Sequence, residues 1–250
     1  MVNIGFKKIP ALGCFIAAAT ILTCYIWAHM NGHVDGIPFF SETGGREPEA
    51  FVFTFGLSIS SFLQASTMFI MSDKLLRKTN SKGLRFWLHL SKYLGSFLSW
   101  IGLFCLSIVD TYDYLILHTS FAQLYFIAAL CVALILIIAL YIVNPKPRSK
   151  NITKQLRFKL ISLVLLFLFA FPYISILAVP FVPSYVLGFP KRQFAAILQY
   201  FSVFFMMLFF GSFSFDLRDY IISVEDMKNG AMVVEISESS PLVVIKPDIN

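Results

Sequence analysis

Charge is what this sequence is short of. Only 14% of its 250 residues are Asp, Glu, Lys or Arg, against a hydrophobic share of 58% and a mean hydropathy of +0.76. A water-soluble globular domain carries about a quarter charged residues, so this composition excludes that class and points to a bilayer. Catalytic signatures are also missing: the chain holds no G-x-S-x-G, no H-E-x-x-H, no P-loop and no G-x-G-x-x-G. The chain is therefore read as non-enzymatic, with no cofactor. The four cysteines, Cys14, Cys24, Cys105 and Cys131, lie inside apolar runs without paired spacing. They read as small buried hydrophobes and not as a disulfide framework or a zinc site.

What is present is a series of long apolar runs, in which most of the 28 Phe residues sit. Crossing about 30 Å of hydrocarbon takes roughly 20 apolar residues as a helix. Six windows meet that length: 9–27, 50–71, 90–109 with a helical approach from Leu84, 114–143, 158–180 and 194–215. The first follows Lys7 and Lys8 as a signal peptide would, but it is too long for one and is read as a retained span. The expected fold is all-α, a polytopic bundle of six transmembrane helices over residues 1–217. A polar tail without regular structure is expected over 218–250.

Lys and Arg set the expected orientation. Lys7 and Lys8 precede the first span. Lys74, Arg77, Lys78, Lys82 and Arg85 join the second to the third. Lys146, Arg148, Lys150, Lys154, Arg157 and Lys159 join the fourth to the fifth. The opposite side has Arg46, Lys191 and Arg192. Thirteen against three places both termini in the cytosol and the loop 28–49 in the lumen. The net charge of +6 is absorbed by this topology, so no nucleic-acid partner is expected. The one N-x-S/T sequon, Asn151-Ile152-Thr153, falls on the cytosolic side and is expected to be unglycosylated.

The small residues of the second and third spans (Gly56, Ser60, Ser61; Gly95, Ser99, Gly102) suggest faces turned into the bundle, and the uniformly apolar fifth span suggests a lipid-facing helix. Within the membrane, His118, Gln123 and Gln199 are the polar residues that could meet near the first loop, as a hydrogen-bonded core or a lipid-headgroup site. In the loop, His29, His33 and Asp35 are too few for a metal, and none is expected. Glu47 and Glu49 flank Pro48 at the positive end of the second helix.

The loop also carries a pattern. Gly32-His33-Val34 is followed by Pro38-Phe39-Phe40-Ser41-Glu42-Thr43-Gly44 and then Pro48-Glu49. Further along come Ser107-Ile108-Val109, His118, Ala195 to Tyr200 and Phe213 to Leu217. In these runs the chain resembles the DRAM (damage-regulated autophagy modulator) family across nearly all six spans. It departs in the sixth, where relatives usually carry Glu before an aromatic and this chain has Gln199-Tyr200. The resemblance implies a membrane regulator of autophagy, in the lysosomal membrane or alternatively the Golgi or plasma membrane. Membrane lipids and other membrane proteins are the implied partners. The alternative implied by the wider superfamily is a lipid-handling protein, acting in GPI-anchor remodelling, phospholipid asymmetry or phosphoinositide regulation. The expected site residues are Pro38, Ser41, Glu42, Thr43, Gly44, Pro48 and Glu49 in the loop, with His118, Gln123 and Gln199 in the bundle.

Overall fold

The computed structural model describes residues 2–144, 150–178, 185–186, 189–218, 220–225 and 233–238. Six helical stretches are long and apolar enough to cross a membrane, as the sequence predicts. They are α1 (Ile9–Met30); α3 (Glu49–Lys78); α4 (Lys82–Leu90) continued through a π-helical turn at Ser91–Gly95 into α5 (Ser96–Ile108); α6 (Leu115–Val143); α7 (Lys150–Ala178); and α8 (Lys191–Gly211), extended by the short α9 (Phe213–Asp216). A four-residue helix, α2 (Phe40–Thr43), lies in the loop after α1. The chain is a multi-pass helical membrane protein. Its outer surface bears Phe15, Leu22, Phe51, Phe55, Ile116, Leu168 and Phe171, all exposed, as a lipid-facing surface requires.

Helices are used because hydrocarbon offers no partner to backbone N–H and C=O groups, which a helix pairs within itself. Around the bundle, α1 packs on α3, α3 on α5, α5 on α6, and α8 on both α7 and α1; the seam between α6 and α7 is the thinnest. The end carrying α2 and residues 109–114 is called the cap end below, and the end with residues 79–81 the tail end. At the cap end, β2 (Tyr185–Val186) and β3 (Phe189–Pro190) pair antiparallel just before α8.

Three sequence expectations are corrected. Burial does not follow the small-residue count: the third span is 33% buried and the fifth 39%, while the first is most exposed at 28%. Small residues in the third span mark one close contact, not burial all round. Second, α7 begins at Lys150, well before the expected 158, and this carries Lys159 into the bundle with no exposed surface. Pro172 is accommodated inside α7, whereas the expected endpoint at Pro180 lies outside the described residues. Third, the region 218–250 is not all tail: β4 (Tyr220–Glu225) and β5 (Val233–Glu238) form an antiparallel sheet with β1 (Val2–Gly5), in the order β1-β4-β5. Both segments are rich in Val and Ile, whose branched side chains favour strands. Residues 239–250 lie outside the described residues.

Candidate functional site: the cap and the cavity beneath it

Glu49 opens α3 and has no exposed surface. A buried carboxylate is tolerable only when its lone pairs are met. Asn31 Nδ2 donates to one oxygen at 2.6 Å, and His33 Nδ1 sits 3.1 Å from the other. The positive end of α3 adds to this stabilisation. His33, weighed above as a metal ligand, is thus directed to Glu49. His29 faces the backbone carbonyls of Tyr25 and Gly36, at 2.9 and 3.0 Å. Among the described residues no group of three or more His, Cys, Asp or Glu converges as a metal site would require.

The Pro38–Gly44 pattern folds as α2. Glu42, in its first turn, reaches back so that Oε2 accepts from Phe39 N at 2.8 Å, the reciprocal half of a capping box. Its other oxygen accepts from Arg192 of α8 at 2.5 Å, which ties the cap to the last span. Thr43 Oγ1 donates to Phe40 O at 2.7 Å. Gly44 is required by space, because a Cβ there would run into the Phe53 ring. Pro38 is buried, Pro48 is exposed and precedes α3, and Ser41 lines the cavity described next. Tyr112 touches the cap from the 109–114 loop, its hydroxyl 3.4 Å from Glu42 O; burial, and then the Glu42 charge, push its phenol above the usual range.

Beneath the cap lies a cavity of about 440 Å³. All six spans contribute walls, among them Ile21, Leu57, Leu103, Phe126, Tyr173 and Val203. On α8 the wall runs from Arg192 to Met207, and on α3 from Phe53 to Gln64; at 1.5 Å per residue the cavity extends roughly 17–22 Å along the bundle. Its inner end holds the Tyr125 hydroxyl, which donates to Gln64 Oε1 at 2.7 Å. Higher up, Gln199 Oε1 accepts from Phe40 N at 3.1 Å, and its Nε2 donates to the Tyr173 hydroxyl at 3.0 Å. His118 Nδ1 donates to Val109 O at 2.7 Å.

Of the three expected intramembrane polar residues, His118 and Gln199 both line this cavity. Gln123 does not: it is exposed on the outer face of α6. At 100° per residue it points away from His118 and Ala122, which face inward. Sequence reading missed Tyr125, Tyr173, Gln64 and Arg192. Each is a polar group inside or just at the end of an apolar run, which is the signal that could have drawn them in.

A second polar cluster sits at the tail end. Lys159 Nζ pairs with Asp216 at 2.8 Å in the interior. Asp73 accepts from Lys92 at 2.6 Å, from Arg77 at 3.0 Å and from the Tyr220 hydroxyl at 2.9 Å. Burial, and then the hydrogen bond to Asp73, push the Tyr220 phenol up to about 12. These contacts fasten the start of β4 to the helices.

Comparison with known proteins agrees with this architecture. Residues 5–220 match the family model described as the Frag1/DRAM/Sfk1/Cwh43P N-terminal domain. Two curated relatives, the DNA damage-regulated autophagy modulator protein 1 of Homo sapiens and that of Mus musculus, are each 34% identical over 77 residues. The match covers 30% of this chain and 32% of each relative, so it spans about a third of their length. No solved structure matches. With its six spans and nearly its whole helical region inside the matched domain, the chain belongs to the Frag1/DRAM/Sfk1 family of membrane proteins.

Proposed function

We propose that the protein is a non-enzymatic regulator of autophagy that acts from the lysosomal membrane. One observation carries this reading: the match to relatives whose name describes them as autophagy modulators. The geometry of the cap suits a fixed binding surface. Glu49 is held by Asn31 and His33, and Glu42 by Arg192, so these contacts tie the 28–49 loop to the start of α3 and to α8. A lumenal cap tied to two spans over a membrane bundle is suited to holding a lipid or another membrane protein. The test is deletion of the gene in cells that express it, with lysosome-dependent cargo turnover measured under starvation. Reduced turnover, restored by the wild-type chain, is the expected result. Unchanged turnover with a tagged protein imaged outside lysosomes overturns the reading.

A further inference from the structure

We infer that the cavity beneath the cap is a binding site for an uncharged, single-chain lipid ester with a hydroxylated head, of the monoacylglycerol type. The inference is independent of the autophagy reading and stands on the walls of the cavity.

Size comes first. About 440 Å³ is near the lower end of the roughly 300–1,000 Å³ that small-molecule sites occupy, so one chain fits and a two-chain phospholipid does not. The shape is elongated, and most of the wall is aliphatic or aromatic, as an acyl chain requires.

Access comes next. Leu115 lines the cavity yet is 61% exposed, and Thr119 and Ala122 continue the same face of α6 inward. Tyr173 of α7 forms the facing wall. Among the described residues the wall is therefore thinnest at the cap end of the α6–α7 seam, where a lipid can slide in sideways with its head near the membrane surface.

Head chemistry follows from what is left unspent. Tyr173 accepts from Gln199, and its own O–H meets no acceptor among the described residues, although the side chain is buried. A buried donor left without an acceptor carries a desolvation penalty, which an incoming carbonyl removes. His118 is also buried. Its Nδ1 must donate, since Val109 O can only accept, so the neutral ring presents Nε2 as a bare acceptor for a hydroxyl. The only Lys, Arg, Asp or Glu side chains on the described wall are Arg192 and Glu42, and they neutralise each other. An anionic head finds no unpaired cation on the described wall, and an uncharged head needs none. A hydroxyl for His118 and an ester carbonyl for Tyr173 describe an acylglycerol head; a sterol offers the hydroxyl without the carbonyl.

The experiment uses the purified full-length chain in nanodiscs and a monoacylglycerol carrying a diazirine and an alkyne on its chain. After irradiation, labelled peptides are identified by mass spectrometry. Labelling is expected on α6 and α8 peptides and is competed by unlabelled monoacylglycerol. Ala122→Trp, which fills the cavity from α6, lowers labelling at least about fivefold, since a blocked site loses most of its affinity. Val203→Phe does the same from α8, so the test survives if either variant fails to fold by size-exclusion and thermal unfolding. Tyr173→Phe raises the half-competing concentration roughly 3- to 10-fold, the value of one neutral hydrogen bond. Absent labelling, or labelling indifferent to both filling variants, overturns the site. Equal labelling by a matching fatty-acid probe overturns the uncharged head, and equal labelling by a matching sterol probe overturns the ester.

Discussion

Glu49 is the residue on which the cap depends. It is fully buried, and its two oxygens are each engaged by a different part of the 28–35 loop. Glu49→Gln keeps the shape but replaces one acceptor by a donor aimed at Asn31 or His33. The expected cost is about 1–3 kcal/mol, seen as a lower unfolding midpoint in detergent by intrinsic fluorescence. Lys159 gives the sharper contrast. Lys159→Met leaves Asp216 inside without its cation, and breaking a buried pair costs about 3–5 kcal/mol. Adding Asp216→Asn removes the stranded charge, so the double variant is expected to recover part of that loss. A double variant less stable than the sum of the singles would rule out the pair. Glu49 could be found in the sequence because it stands beside a proline at a helix start, where a carboxylate belongs. Lys159 was misread for a physical reason: a basic residue near a span end is usually solvated, and only the early start of α7 turns it inward. Gln123 failed likewise, since polarity alone does not say which side of a helix a residue occupies.

At the scale of the elements, apolar length was enough to find all six spans, and it missed how closely they approach. A Cβ on Gly102 of α5 would stand 2.8 Å from Tyr125 N and 3.0 Å from its Cα. The obstacle is backbone, so α5 and α6 would have to separate. Gly102→Ala gains up to about 1 kcal/mol of helix propensity and loses about 1–3 kcal/mol to overpacking, and the loss wins. Gly83 of α4 has nothing within 4 Å of the same position. Gly83→Ala therefore keeps the propensity gain and is expected to raise the unfolding midpoint. Opposite signs at these two glycines, measured by thermal unfolding, check the helix contact directly; equal signs would contradict it. The π-helical turn at Ser91–Gly95 was invisible to periodicity, because one turn of i→i+5 bonding shifts the apolar pattern by a single residue. Within that turn are Ser91, whose hydroxyl meets that of Ser72 at 3.0 Å, and Lys92, which reaches Asp73. The cavity was partly legible: His118 and Gln199 marked its upper wall, while its volume depends on how helices diverge, which no single helix encodes.

At the scale of the whole molecule, the question is which side of the membrane the cap faces. Moving Lys159 from the loop count into the bundle changes thirteen basic residues to twelve, still against three, so the charge rule keeps its sign. Two exposed positions report the two sides: Asp35 at the cap end and Lys82 at the tail end. In sealed vesicles with the cytosolic face outward, Lys82→Cys is expected to react with a membrane-impermeant maleimide at once. Asp35→Cys should react only after permeabilisation. Of the native cysteines, Cys24 is buried, and all four lie within spans, where such a reagent does not reach. The reverse pattern would put the cap in the cytosol and remove the lumenal role proposed for it. The lipid inference would stand, because the cavity opens toward the cap whichever leaflet the cap belongs to. Orientation then decides only which leaflet supplies the ligand.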